Sequence, residues 1–252
     1  MGICVHSYLN MGIAVGSKLF ALEDPLDYLP RKPIQEFGKR RVIYGQGQLC
    51  DRLFVVVLGR VKITTTAPDG FETIARIATV EDFFGESVLV GNQLPPESAI
   101  ALDHVMVMSW TRTEIEDYID RDPHLGVALS QYFVRQCSIL QERIASIAVY
   151  KTPERVMLSL VQLAGTIGTP ESGEFVRIGS LTQQTIAEFV GTSREIVTGQ
   201  MNRLRRLGVL RYSRQSVDVN TRAIRDLLRE QGINAPDSTG AENVPNRPSP
   251  VP

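Results

Sequence analysis

The chain has 252 residues, 43% of them hydrophobic and 22% charged, with a formal net charge of −1 at pH 7. That balance describes a soluble globular protein of one or two domains, long enough to bury real cores. It excludes a helical membrane protein, because no apolar run approaches the ~18 residues that span a bilayer.

The opening stretch, MGICVHSYLNMGIAVGSKLF, is mildly apolar, but no basic segment precedes its apolar part and no small-residue cleavage site follows. This predicts a cytoplasmic protein with a weakly ordered extension over residues 1–25. Cys4, Cys50 and Cys137 are widely separated, no CxxC occurs, and His6, His104 and His124 form no metal-spaced pair. Reduced thiols are expected, with no metal and no other cofactor.

From Arg41 to Ser109 the hydrophobic period is two. The segments RRVIY, LFVVVLGRVKITTT, FETIARI, SAIAL and VMVMS are rich in β-branched residues. Gly45-Gln46-Gly47, Pro68-Asp69-Gly70 and Pro95-Pro96 punctuate them, and Asp69-Gly70 is a hairpin signal. Short strands joined by tight turns predict a β-barrel or jelly-roll over residues 26–123.

At Thr113 the period changes. EIEDYI reads as a short helix, Asp122-Pro123 ends it, and a long helix follows from about His124 to Val149. Along it Phe133, Cys137, Leu140, Ile144 and Ile147 recur at steps of four and three, the seam of a parallel homodimeric coiled coil. The same spacing also suits a face buried against the helix's own barrel. Tyr132, Ile139 and Ala148 widen the apolar surface enough for both uses, so residues 124–150 are expected to be a dimerisation helix and hinge.

The next helix is expected to open at Thr152-Pro153, with Thr152 as its cap, and to end near Gly165. A short strand, FVRIG, follows. The tail over residues 233–252, rich in Pro, Ser, Asn and Gly, predicts disorder.

The near-zero net charge hides an asymmetry. Residues 1–150 carry 14 Lys and Arg against 18 Asp and Glu, whereas residues 191–229 carry nine Arg against Glu195, Asp218 and Asp226. Basic charge concentrated in one short region is a footprint of polyanion binding, although a solvated helix face built from Arg would look the same. The motif inside that region decides between them. In LTQQTIAEFVGTSREIVTGQMNRLRRLGVL, Thr182 caps a short amphipathic helix, Gly191 supplies a tight turn, and Ser193 caps a second helix running to Leu207. This is a helix-turn-helix. Val197, Met201 and Leu204 form the buried stripe of its second helix, which leaves Arg194, Glu195, Thr198 and Gly199 at the outer N-terminal end, where base edges are read. An Arg fork bonds guanine O6 and N7, and a carboxylate accepts from cytosine N4. Base readout also explains a Glu on a basic surface, since phosphate would repel it. A small hairpin with Arg214 at its tip forms a wing that reaches phosphate, and residues 151–232 are expected to be one winged helix-turn-helix domain.

The order of β-roll, long helix, hinge and winged helix-turn-helix is similar to the cyclic-AMP receptor/fumarate-nitrate regulator (CRP/FNR) family of bacterial transcription factors. The resemblance covers roughly residues 28–230. It is carried by Gly45-x-Gly47, Gly59, Phe84-Gly85-Glu86 and Gly191-Thr-Ser-Arg-Glu-x-Val197 with Asn202, Leu204 and Gly208. It implies an α+β protein: an N-terminal double-stranded β-helix (jelly-roll) resembling cyclic-nucleotide-binding domains, a dimerisation helix, and a C-terminal winged helix. It implies a regulator, not an enzyme, with double-stranded DNA, a second copy of the chain and RNA polymerase as partners. Arg194 and Glu195 fall on the positions that read a TGTGA-type half-site, while Gly199 stands where a further Arg reader is usual. Thr182, Gln184 and Ser193 fall on phosphate-contacting positions.

The resemblance also makes residues 83–102 a phosphate-binding cassette, in which a Gly-Glu pair contacts the ribose and an Arg-Ser or Arg-Thr pair takes the cyclic phosphate. Gly85-Glu86 keeps the first half, but Glu97-Ser98 replaces the cation of the second with an anion. Pro95 and Pro96 remove two N–H donors, and Leu140-Gln141 stands where a Thr-Ser pair would meet the base. Arg76, on a neighbouring strand, is the one cation in view to replace the missing one. These changes predict a degenerate pocket that does not take cyclic AMP, in a regulator working without an effector or with an unidentified small ligand.

Overall fold

The computed structural model describes residues 22–45, 50–67, 70–91, 97–171, 173–213 and 216–233. The extension up to residue 21, Cys4, His6, Asp69, the Pro95-Pro96 pair, Arg214 and the tail from residue 234 lie outside the described residues.

Tight turns between β-branched segments leave antiparallel pairing as the way to satisfy their backbones, and the N-terminal half is built so. Its strands are β1 (Gln35–Phe37), β2 (Val42–Tyr44), β3 (Arg52–Leu58), β4 (Val61–Thr66), β5 (Glu72–Ala78), β6 (Phe83–Phe84), β7 (Ser98–Ala101) and β8 (Val105–Thr111). They form two antiparallel four-stranded sheets, ordered β1-β8-β3-β6 and β2-β7-β4-β5. Between the sheets lies a core that includes Tyr44, Phe54, Val61, Ile63, Phe84 and Val107. The alternate side chains of β3 and β8, with Leu53, Val55 and Trp110, enter a second core against the helices. There the indole N–H of Trp110, 1% exposed, donates to Pro30 O at 3.0 Å.

Helix α1 (Arg112–Arg121) opens on a capping box between Thr111 and Glu114 and stops at Asp122. Helix α2 (His124–Val149) follows directly. Its first turns are buried through Leu125, Ala128 and Leu129, and the rest carries exposed apolar residues. The sequence seam changes in one place. Phe133 is half-buried, packing edge-on against Tyr132 in the second core, while Val134 beside it is 66% exposed. Cys137, Leu140, Ile144 and Ile147 are exposed. A helix of 3.6 residues per turn drifts against a strict seven-residue repeat, so the barrel takes Phe133 and the outward stripe passes through Val134, seven residues on from the exposed Val127.

Helix α3 (Thr152–Ile167) starts one residue earlier than the Thr152 cap implied, with Lys151 as N-cap, because the Glu154 carboxylate accepts from Lys151 N at 2.7 Å. It also runs past Gly165, since Leu160, Leu163 and Ile167 keep an apolar stripe against the core and give the last turn something to bury. Then come β9 (Thr169–Pro170), β10 (Val176–Arg177), α4 (Gln183–Val190), α5 (Arg194–Arg206), β11 (Leu210–Tyr212), β12 (Val217–Val219) and α6 (Thr221–Glu230). The four short strands form a sheet ordered β11-β12-β10-β9.

The two halves share a core. Ile74 and Ile77 of β5 are buried in one cluster with Ile186, Phe189 and Met201. Lys62 Nζ lies 3.0 Å from Glu188 Oε2 and 2.9 Å from Glu72 Oε1, with the Lys62 and Glu188 side chains only 12% and 10% exposed. Arg60 pairs with Asp103 at 2.9 Å and donates to Ile178 O at 3.0 Å. Arg143 of α2 donates to Ala75 O of β5 and to Phe189 O of α4, and its guanidinium stacks 4.4 Å above the Phe189 ring.

Candidate nucleic-acid interface and effector cassette

Two short amphipathic helices meet at a turn that only a residue at ease with positive φ makes without strain. Gly191, at φ 72°, ends α4 in the left-handed region. Its C=O and that of Val190 accept from Arg155 of α3 at 3.1 and 3.4 Å, which fixes the turn on the helix behind it. Both helices are capped: the Thr182 hydroxyl accepts from Thr185 N at 3.0 Å, and Ser193 Oγ accepts from Ile196 N at 3.5 Å. The first-turn N–H groups of a helix have no intrahelical acceptor, which is why a helix start is a site where a phosphate oxygen can bind.

Val197, Met201 and Leu204 are at most 1% exposed and hold α5 to the domain. Arg194, Glu195, Gly199, Arg203 and Arg206 are exposed along the other side. The Glu195 carboxylate is held below its usual pKa by its own backbone N–H and the Ser193 hydroxyl, with Arg194 adding a smaller pull. It therefore stays an acceptor. A Cβ added at Gly199 would meet nothing within 4 Å, so this part of the face is open space.

Two residues read as outward contacts are engaged internally. The Thr198 hydroxyl, with one proton to donate, lies 2.7 Å from Gln183 Oε1 and 2.8 Å from Arg194 O, and through Gln183 it ties α5 to α4. Gln184 Nε2 donates to Glu188 Oε1 at 3.2 Å. The basic region is also divided. Arg205 stacks over Tyr212, whose hydroxyl donates to Asn202 Oδ1 at 2.7 Å, clamping the wing strand to α5. Arg211 stacks over Phe175, and Arg222 and Arg229 pair with Glu174 and Asp226. On α5, Arg205 is exposed but stacked, and Arg194, Arg203 and Arg206 are exposed beside it.

Among the described residues, the charged groups of the cassette are paired within the fold. Gly85, at φ 82°, caps the short 3-10 turn Glu86–Val90. An added Cβ there would come within 2.7 Å of Arg52 O, so the backbone needs this Gly for its own packing. Arg76 Nη2 lies 3.1 Å from both Glu86 carboxylate oxygens and donates to Phe83 O at 2.7 Å. The cation that the sequence offered to a phosphate is thus taken by Glu86. Glu97 is bonded from the Tyr44 hydroxyl at 2.8 Å. Burial, and then the charge of Glu86, push its carboxyl above the usual range against smaller opposing pulls from Tyr44 and Arg76. Burial, followed by Glu97, raises the Tyr44 phenol in turn. Ser98 lies half-buried in β7, paired with Thr64 of β4. Leu140 lines a cavity together with Arg76, whereas Gln141 is exposed. Pattern reading missed Tyr44, Arg143, Lys62 and Glu188; an Arg at position 143 inside an apolar helix pattern was the one available signal. Among the described residues there is no His, Cys, Asp and Glu cluster able to hold a metal ion, and no helix long and apolar enough to cross a membrane.

Residues 34–122 match the cyclic nucleotide-binding domain family and residues 154–227 the Crp-like helix-turn-helix domain family. The chain is 30% identical over 182 residues to a CRP-like cAMP-activated global transcriptional regulator of Mycobacterium tuberculosis, covering 72% of this chain and 81% of that protein. It is 25% identical over 175 residues to the nitrogen fixation regulation protein FixK of Azorhizobium caulinodans, covering 69% of each. A CRP-family transcriptional regulator from Thermus thermophilus shares the fold with a TM-score of 0.67 at 22% identity, over 80% of this chain and 98% of that one.

Proposed function

The chain belongs to the CRP/FNR family of transcription regulators, and we propose that it works as a homodimer reading a TGTGA-like pseudo-palindrome through Arg194 and Glu195. The observation that carries this reading is the exposed Arg194–Glu195 pair at the capped start of a helix whose opposite face is buried. Arg194 would fork onto guanine and Glu195 would accept from cytosine. Gly199 would leave the next base pair weakly read. Thr182, Ser193 and Arg214 would meet phosphates and set the register, and Gln184, whose side chain is exposed, would join them only by giving up its bond to Glu188. Thr198 is proposed to position α5 through Gln183 and not to touch a base.

The exposed stripe of α2 would pack on its copy through Val134, Cys137, Leu140, Ile144 and Ile147, with Phe133 at the edge. A two-fold dimer places half-sites one DNA turn apart, about 34 Å. The protein would act in the cytoplasm, through contact with RNA polymerase. The proposed domains are the β-roll over 26–123, the helix and hinge over 124–150 and the winged helix over 151–232, without catalytic function.

DNA binding is proposed to need no cyclic AMP, because the cassette's carboxylates already hold Arg76 and Tyr44. A second reading is favoured by one observation: the Mycobacterium tuberculosis relative is described as cAMP-activated. Under it a cyclic nucleotide displaces the Arg76–Glu86 pair and recruits Arg76 to its phosphate. Selection of random duplexes by the purified protein without ligand, alongside calorimetric titration with cyclic AMP and cyclic GMP, separates the two. Enrichment of a guanine-containing pseudo-palindrome without ligand is expected. Micromolar binding of either nucleotide, or enrichment only in its presence, overturns effector independence.

A further inference from the structure

A cavity of about 100 Å³ lies where β5, α2, α3 and α4 meet, lined among others by Arg76, Asp82, Gln136, Ile139, Arg143 and Gln162. It shares Arg76 with the Glu86–Glu97 cassette and is also lined by Gln162, Leu163, Thr166 and Phe189 of the winged-helix half. Arg143 dominates it. Among the described residues no carboxylate lies within ion-pair distance of its guanidinium, whose acceptors are the Ala75 and Phe189 carbonyls. A half-buried cation without a counter-charge is costly in a low-dielectric joint, and burial alone brings its pKa down to about 10. The other charges facing the space do not supply that counter-charge. Asp82 is turned to its own turn, accepting from Thr79 N at 2.8 Å and Thr79 Oγ1 at 2.9 Å and lying 3.3 Å from the Tyr132 hydroxyl. Glu86 is bound by Arg76. The walls are otherwise apolar, through Ile139, Leu163 and Phe189, with amides at Gln136 and Gln162.

We propose that this joint is a binding site for a small organic carboxylate, its charge against Arg143 and its apolar body against Ile139 and Leu163. The size sets the class. Benzene, with six non-hydrogen atoms, fits a cavity of about 150 Å³, so about 100 Å³ admits about four, enough for a carboxylate and the carbon next to it, with a longer chain reaching toward the mouth. A cyclic nucleotide is far too large for it. A carboxylate fits the planar fork of Arg better than a spherical anion does.

The test is calorimetric titration of the full-length protein with butyrate and with butyramide, which matches it in shape but carries no charge. Butyrate is expected to bind with a Kd of about 1 mM or below, and butyramide at least about tenfold more weakly, because bonds to a charged partner are the stronger ones. Arg143→Met should abolish butyrate binding. Since that variant also loses the bonds to Ala75 O and Phe189 O, Ile139→Trp provides a second test by filling the cavity with Arg143 intact, and it too should abolish binding. Equal affinity for acid and amide, no binding of butyrate, or binding that survives Ile139→Trp overturns the proposal. Its failure is distinguishable from that of effector independence, which turns on cyclic nucleotides and the Arg76–Glu86 pair.

Discussion

The two ends of the molecule treat charge in opposite ways. On α5, Arg194, Arg203 and Arg206 stand exposed, and Glu195 is kept ionised by the helix start beneath it. In the cassette each charged group already has a partner: Arg76 holds Glu86, and Tyr44 holds Glu97. Exposed charge keeps its hydration and is available to a polyanion, whereas half-buried charge must be matched within the fold. An anion entering the cassette would have to displace Glu86 from Arg76 and would face Glu97. The difference separates a face whose charges stand in solvent from a cassette whose described charges are paired within the fold.

The largest effect is expected where the two ends are joined. Lys62→Met leaves Glu188 buried without its cation, a loss of about 3–5 kcal/mol read in chemical denaturation. The double change Lys62→Met with Glu188→Leu should recover most of it, because an apolar pair of similar volume often replaces a buried ion pair at little cost. A single change as mild as an exposed salt bridge would show that the halves are not locked through α4. Next in size is Arg194→Ala, which should weaken binding to the selected site by on the order of 10- to 100-fold per half-site and flatten preference at one guanine. A uniform loss across all sequences, read by fluorescence anisotropy, would make Arg194 a phosphate contact.

Most of this layout is legible in residue pattern because its signals are local. The β-branched runs from Arg52 to Ala78 form strands as their composition predicts, although β3 is buried on both faces, between the sheets and against the helices, and so does not alternate in burial; Thr182, Gly191 and Ser193 mark three of the four ends of α4 and α5 by their own chemistry. What stayed hidden is what depends on distant neighbours. Strand β1 is a polar edge strand, and β6 holds two residues, too short to show a period. Phe133 and Val134 are both apolar, and only the barrel's position selects which is buried. Arg143 reads as a polar break in an apolar helix until Ala75 and Phe189 surround it. Arg76 and Glu86 are ten residues apart, and only the turn between β5 and β6 brings them face to face.

Two smaller effects sharpen the contrast. Thr198→Val should lower stability by about 1 kcal/mol through the lost bond to Gln183, while leaving the selected DNA sequence unchanged. A changed base preference in a repeated selection would return Thr198 to the reading face. On the cassette side, Glu97→Gln keeps an acceptor for the Tyr44 hydroxyl but removes the charge beside Glu86. Burial raises the folded-state pKa of Glu97 above its ordinary value of 4.5, so the folded protein binds its proton more tightly than the unfolded chain. Stability linked to this group is therefore full below about pH 4 and falls as pH rises through the folded pKa. Thermal unfolding from about pH 4 to about pH 8 should show a shallower decline for Glu97→Gln, with the variant gaining on the parent as pH rises. Parallel curves would mean that the Glu97 carboxylate loses no solvation on folding, and the contrast with the exposed Glu195 of α5 would then not hold.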